Sequence, residues 1–432
     1  MTDSSLTNSL TKEQPRSLFS PFTRFLAAAG LANMGDGIAT VLWAWVASLL
    51  TRDPLWIAVL PIALRLPWVL CALPAGLLVD RLDRHRLILR CDLVRALAYL
   101  TVSCAVISTW PFDAAAAQGI THLGLYSQLF VLALIIGTCE VIRDTAAPSL
   151  LPRLVPDNDL EGANGKIYAL ETVGNNLAGP ALGAMLIAVF LPLPFAVIAA
   201  LFLASAWLMR GLAPQLSAAS QSSQNGLRTD LAEAFRFVLN HKGLRLLIMM
   251  SGAWCFFVEM GMIALILHFQ DNFGASSQIY GITLAVGALG GVAGGYITAP
   301  LLARFNTSTV IRLSNVFDGA GFLIIAFAPS IWMIAAVLFI FHFTGVMWMT
   351  TVMTYRQREI PQALFGRVNA ISRLVAFGAI PLGMLASGLI VSITKELLPY
   401  DKALITPFVI AGLGLIAQVA LSWRAIGQRF PV

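Results

Sequence analysis

Gly76-Leu77-Leu78-Val79-Asp80-Arg81-Leu82-Asp83-Arg84-His85-Arg86 concentrates charge in a chain in which only 12% of residues are Asp, Glu, Lys or Arg. Long apolar stretches flank it on both sides. A charge cluster this short between two apolar runs of bilayer length reads as a hairpin turned at a membrane surface. Its excess of Arg places that hairpin on the cytoplasmic side.

The pattern repeats outward in both directions. Apolar runs of about 20 residues, the length that crosses a hydrocarbon core of ~30 Å, are expected at 22–50, 56–79, 87–109, 125–151, 164–190, 192–210, 244–270, 277–302, 308–329, 331–354, 367–393 and 404–424. The composition agrees: 432 residues, 58% hydrophobic, with a mean hydropathy of +0.79, exceed what one globular core can bury. The fold class expected is an all-α polytopic membrane protein of twelve transmembrane helices. Met1–Ser20 is polar and the first apolar run is longer than a signal-peptide core, so the first span is expected to stay in the mature protein.

A net charge of +6 raises the question of a nucleic-acid partner, and the placement of the basic residues argues against one. Only Arg52, Lys395 and Lys402 fall on the odd-numbered loops; Arg65 lies within a span. Nearly all other Lys and Arg occupy the tails, the even-numbered loops or the helix ends beside them, which predicts a multi-pass protein of the inner membrane with both termini cytoplasmic. Cys71, Cys91, Cys104, Cys139 and Cys255 stand singly in apolar runs, without a CxxC or a nearby His. They read as packing residues, and neither a metal site nor a disulfide framework is expected.

The longest polar connection begins near Gly211 and contains the low-complexity stretch Ser217–Gly226, a flexible linker by composition. After it, Leu227, Leu231, Phe235, Val238 and Leu239 share a helical face opposite Asp230, Glu233 and Arg236, which predicts an amphipathic helix along the inner surface. The expected organisation is a tail at 1–20, a six-helix bundle at 21–210, a linker at 211–242, a second six-helix bundle at 243–424 and a tail at 425–432. The halves echo each other. Pro156 and Asn164 find counterparts in Pro361 and Asn369, both 205 positions on, and the opening motif has a degraded copy at Gly295–Arg304. Two related bundles around a central substrate site form a common transporter design.

The spacing Gly76, three residues, Asp80-Arg81, two residues, Arg84 resembles the loop signature after the second helix of the major facilitator superfamily. Met34-Gly35-Asp36-Gly37, Asp92-Leu93-Val94-Arg95-Ala96 and Phe365-Gly366-Arg367-Val368-Asn369-Ala370 are similar to the branch that contains enterobactin exporters and macrolide-efflux proteins. The resemblance spans nearly the whole chain. It implies two pseudo-symmetric six-helix bundles and a loop that latches one conformation. In that latch Gly76 would permit close helix contact, and Asp80 would face the N-terminus of the eleventh helix, whose dipole favours an anion. Arg81 and Arg84 would bridge to acids of the fourth span, Glu140 and Asp144, beside Arg143, whereas Arg86 and Arg90 read as solvated residues of a cytoplasmic loop. Asp83 departs from the pattern, which usually has Gly there. In the fifth span Gly179-Pro180 and Gly183 resemble part of an antiporter signature, with Ala184 in place of a second Gly. Pro180 would bend the helix and the glycines would admit a close neighbour. Gly287, Gly291 and Gly295 predict another tight contact in the eighth span.

Charge near a bilayer centre is costly, ~2.5–3.5 kcal/mol on insertion scales, and faces a cavity or a partner. Asp36 lies roughly 18 Å beyond Arg24, and Arg65 roughly 22 Å before Asp80, at 1.5 Å per residue. Their depths match, so a carboxyl whose guanidinium neighbour comes and goes between states exchanges a proton. Glu259 is the counterpart in the second half, since Gly252 and Glu259 echo Gly30 and Asp36. Asp36, Arg65, Glu259 and His342, whose ring suits either proton exchange or hydrogen-bonded packing, are the candidate coupling and substrate groups. Asp318 is a similar case. Trp254, Phe256, Phe257, Phe341, Phe343 and Trp348 offer an aromatic wall or plain packing.

The function expected is secondary export of a small amphipathic molecule, drug-like or siderophore-like, by alternating access against inward proton flow. The partners expected are that small molecule, protons and the lipid bilayer, with no cofactor, no nucleic acid and a monomeric state. A facilitator, an importer and a transporter-like sensor share every feature of the fold. No nucleotide-binding P-loop, HExxH or nucleophile elbow is present, so neither a pump driven by its own nucleotide site nor an enzyme is expected.

Overall fold

The computed structural model describes residues 20–116, 119–156, 159–212, 227–302 and 304–430, with the side chains of Asp80, Ala299, 227–231 and a few others outside that set. The expected tail at 1–19, the Ser217–Gly226 stretch and the carboxylate of Asp80 therefore lie outside the described residues.

Helices form where the apolar runs are, because a chain crossing a bilayer must satisfy its backbone polar groups internally. They are α1 Pro21–Leu50, α2 Pro54–Leu70, α3 Ala72–Arg81, α4 Arg84–Thr109, α5 Leu123–Ala146, α6 Leu160–Thr172, α7 Gly179–Val189, α8 Leu193–Arg210, α9 Leu227–Asn240 and α10 Lys242–Leu267. Then follow α11 Ser277–Leu302, α12 Thr307–Ala326, α13 Ile331–Glu359, α14 Gln362–Thr394, the short α15 Tyr400–Ala403 and α16 Thr406–Arg429. Among the described residues eleven helical stretches are long and apolar enough to cross a membrane, and Pro54–Leu70 is a shorter apolar helix. With α3 continuing α2, they supply the twelve expected crossings.

Local chemistry sets the ends. Ser20 caps α1 by accepting from the Thr23 N–H at 3.1 Å, and Asp53 caps α2 through the Leu55 N–H at 3.0 Å. Asp83, the departure from the loop signature, caps α4 by accepting from the Arg86 N–H at 3.1 Å. The second span is not the continuous helix expected at 56–79: it breaks at Cys71, between α2 and α3. Pro74 has no N–H to return to the Leu70 carbonyl, so the ladder is interrupted there. In the fifth span a π-type turn, Val173–Ala178, leads into Gly179-Pro180 and separates α6 from α7.

The helices before the linker pack mainly on one another, as do those after it, and the two bundles meet where α2 lies on α14 and α7 lies on α11. The halves repeat a contact: Gly30 of α1 faces Leu170 of α6, and Gly252 of α10 faces Val375 of α14. Leu170 and Val375 are separated by 205 positions, the offset of the Pro156/Pro361 echo. The glycines of the fifth span do admit a close neighbour. A methyl on Gly179 would lie 2.6 Å from the Gly37 Cα of α1, one on Gly183 would lie 2.7 Å from the Ile38 oxygen of α1, and from the other side one on Gly37 would strike the Gly174 carbonyl. In the eighth span the contact runs through different residues than expected. Gly287, Gly290 and Gly294 press on His342, Phe339 and Phe343 of α13, Gly291 meets Leu177, and Gly295 faces open space. Spacing of three then four keeps Gly287, Gly290 and Gly294 on the α13 side, whereas Gly291 lies about 100° round the helix from Gly290 and meets the π-type turn before α7.

The linker helix also turns differently than its pattern predicts. Ala234 and Val238 of α9 are buried, whereas Phe235 and Leu239 are 53% and 45% exposed.

Candidate functional site

Four helices of the first bundle bring their charges to one buried chain. Asp36 of α1 is held by Arg95 of α4, whose Nη1 and Nη2 both donate to the carboxylate. Arg95 is 0% exposed, and its guanidinium lies 4.0 Å from the Phe202 ring centroid on α8. Nη2 of Arg95 also stands 3.9 Å from Oε2 of Glu140 on α5. Glu140 Oε1 accepts from Arg65 Nη1 at 2.9 Å and from Trp68 Nε1 at 3.2 Å, both on α2. Two acids and two bases therefore cancel within one network, which is how charge persists in a bilayer interior.

A second pair lies beside it. Arg143 Nε donates to Asp92 Oδ1 at 2.8 Å, Ser205 Oγ donates to Asp92 Oδ2 at 2.7 Å, and Arg143 Nη1 is 3.7 Å from Asp144. Asp92, Arg143 and Glu140 are buried.

These contacts correct three sequence expectations. Asp36 pairs with Arg95, not with Arg65, because at that depth α4 turns its cation onto α1 while Arg65 of α2 is held by Glu140. Glu140 and Asp144 lie with Arg65 and Arg143 and make no ion pair with Arg81 or Arg84 among the described residues. Arg81 is exposed, and Arg86 lies 3.7 Å from Asp83 in its own turn. Gly76 makes no close helix contact, since a methyl there would meet nothing within 4 Å. Arg95 sat in a quoted motif without a role; its depth, roughly 17 Å from the start of α4, was the available signal.

Among the described residues Glu259 of α10 takes part in no ion pair. It is partly exposed and makes no hydrogen bond with those residues, and its electrostatic neighbour is Arg65 of the other bundle. Arg65 itself keeps 24% of its side chain exposed while it holds Glu140. His342 is turned elsewhere: Nδ1 donates to the Leu338 carbonyl at 2.8 Å and the ring lies against Gly287.

The aromatic residues do not form a wall. Trp254 stacks on Phe341 at 6.0 Å and donates to Asp318 at 2.8 Å, while Phe257 fills the space over Gly414 of α16. They pack the second bundle internally. A different aromatic pair bridges the bundles, Trp68 of α2 with Phe377 of α14 at 4.6 Å. Arg373 lies 5.6 and 5.8 Å from these two rings and 3.3 Å from Glu171 of α6. At the odd-loop face Arg52 donates to Gln270 at 2.7 Å and to Asp271 at 3.2 Å, and Gln270 donates to Ser48 at 3.0 Å.

Residues 18–426 match the family described as transmembrane secretion effector. The multidrug efflux pump Tap of Mycobacterium tuberculosis (strain ATCC 25618 / H37Rv) is 26% identical over 411 residues, 93% of this chain and 94% of that protein. Among solved structures, a bacterial homologue of the iron transporter ferroportin in its inward-facing state superposes with a TM-score of 0.68 at 17% identity, covering 93% of this chain and 99% of that one. The nucleoside transporter NupG superposes with a TM-score of 0.71 at 15% identity, covering 94% and 99%. These structures share the fold.

Proposed function

The chain belongs to the transmembrane secretion effector family of the major facilitator superfamily and is a multi-pass membrane transporter, and from that premise we propose that it exports small amphipathic molecules against inward proton flow. The observation that carries the reading is the half-buried acid Glu259 of the second bundle, which makes no hydrogen bond or ion pair among the described residues and has Arg65 of the first bundle, already held by Glu140, as its electrostatic neighbour. An unpaired carboxylate at this depth is costly, ~2.5–3.5 kcal/mol on insertion scales, and taking up a proton removes that cost.

The cycle follows from charge balance. With Glu259 charged, the space between the bundles favours a cationic or polar headed substrate. With Glu259 protonated the substrate loses its counter-charge and leaves, and the bundles rock to expose the other face. Asp36 stays bound to Arg95 and ties α1 to α4; it exchanges a proton only in a state that separates the two. The domain limits 21–210 and 243–424 describe the rocking bodies. Asp80 and the Gly76–Arg86 hairpin serve as the even-face latch, the inner membrane is the site of action, and the protein works as a monomer. Likeness to a multidrug efflux pump favours export of drug-like cargo over import.

Everted vesicles test this. Uptake of an amphipathic dye into such vesicles should follow an imposed proton gradient and collapse with a protonophore in the wild type. Uptake indifferent to the gradient would leave a facilitator as the better reading.

A further inference from the structure

One helical position carries opposite charge in the two bundles. Asp83 and Asn306, the N-cap positions of α4 and α12, are 223 apart, and the same offset sets Asp92 against Asn315, Arg95 against Asp318 and Tyr99 against Phe322. Each position is tied to the first helix of its own bundle: Arg95 to Asp36, and Asp318 to Trp254 Nε1 at 2.8 Å. The first tie is neutral because a base meets an acid. In the second, the partners of Asp318 are an indole N–H and the Thr344 hydroxyl, at 2.6 Å, and both are uncharged.

Among the described residues no cation offsets Asp318, which is 1% exposed. On α10 the titratable neighbours of Trp254 are Cys255 and Glu259, and Glu259 lies five residues on, roughly 140° round the helix from Trp254. On α13 His342 is turned to the Leu338 carbonyl and Gly287. Between Thr406 and Trp423 α16 has no titratable residue. On α12 itself Arg312 lies over the Trp423 ring at 4.2 Å, six residues and roughly 9 Å along the axis from Asp318. A carboxylate so enclosed carries an uncompensated charge, which costs several kcal/mol in an apolar interior.

We propose that Asp318 is a proton-binding site of the second bundle and holds a proton in the packing seen here. The Thr344 hydroxyl fits both forms of the carboxyl. Its oxygen is 2.6 Å from Asp318 Oδ1 and 3.0 Å from the carbonyl oxygens of Ile340 and Phe341. With Asp318 protonated, the acid O–H donates to Thr344 and the threonine proton goes to a backbone carbonyl. With Asp318 charged, the threonine turns its proton onto the carboxylate. Every donor keeps an acceptor in either form, while Trp254 stays on Oδ2. Trp254 and Glu259 share α10, so a proton at Asp318 bears on the helix that presents Glu259. That last link rests on the exporter reading; the protonation of Asp318 does not.

Infrared difference spectroscopy of the full chain in lipid nanodiscs reads protonation without transport. A protonated-carboxyl C=O band present in the wild type, missing in Asp318→Asn and shifted in Thr344→Val and Trp254→Phe is the result expected. Identical carboxyl regions in the wild type and Asp318→Asn overturn the proposal. Should Asp318→Asn fail to fold, a band unmoved in both Thr344→Val and Trp254→Phe overturns it equally. A band that behaves as expected beside dye transport indifferent to a proton gradient upholds the site and removes the exporter reading alone.

Discussion

Asp36, Arg65 and Arg95 lie at similar depth, and depth is one coordinate of three. The rotation of α1 against α4 decides that Asp36 meets Arg95, and no linear spacing reports that rotation. The consequence is measurable. Arg95→Ala strands Asp36 in the bundle interior and should cost ~3–5 kcal/mol, the usual loss when one member of a buried pair is removed. Asp36→Asn with Arg95→Gln should recover most of it, read as the thermal midpoint of purified protein. A single variant as stable as the wild type would show that the pair is dispensable. Glu259 behaves oppositely, since among the described residues it has no hydrogen-bond or ion-pair partner to lose. Glu259→Gln should shift stability by less than ~0.5 kcal/mol while removing the dependence of efflux on pH. Acidifying the proton-donor side should speed wild-type efflux, and the variant should respond to neither direction of pH change.

At the scale of elements, two glycines that look alike in sequence have opposite environments. A methyl on Gly37 strikes the Gly174 carbonyl, whereas one on Gly76 meets nothing within 4 Å. Gly37→Ala should therefore lower the yield of folded protein sharply, and Gly76→Ala should leave folding unchanged, both read by size-exclusion profiles in detergent. Equal behaviour of the two would contradict the packing described. The positions of the spans were legible because apolar length alone dictates them, and so was the Gly179-Pro180 irregularity. The break at Cys71 was harder to read. Pro61, Pro67 and Pro74 all sit in one apolar run, and only the third coincides with an interruption. Asp83 shows how a motif misleads: the departure from the loop signature serves as the cap of α4.

At the scale of the whole molecule, the repeat was visible in the 205-residue echo, but the inversion of charge between Arg95 and Asp318 emerged only once α4 and α12 could be laid on each other. The ties between bundles, Arg373 with Glu171 and Arg52 with Gln270 and Asp271, were invisible for the same reason: they join residues some 200 positions apart. If the bundles must part at the odd-loop face, joining them there should stop transport. In a background lacking the five native cysteines, Ser48→Cys with Gln270→Cys, whose native side chains now meet at 3.0 Å, should lose dye efflux when joined by a short bifunctional thiol reagent with a reducible spacer and regain it on reduction. Efflux unaffected by the cross-link would rule out opening at that face.

Proteoliposomes holding purified protein, loaded with an amphipathic dye and given a proton gradient, test the central claim of coupling at Glu259 most directly. Gradient-driven movement in the wild type, with gradient-independent dye exchange alone surviving in Glu259→Gln, is the predicted result. Gradient-driven movement of equal rate in Glu259→Gln would contradict it.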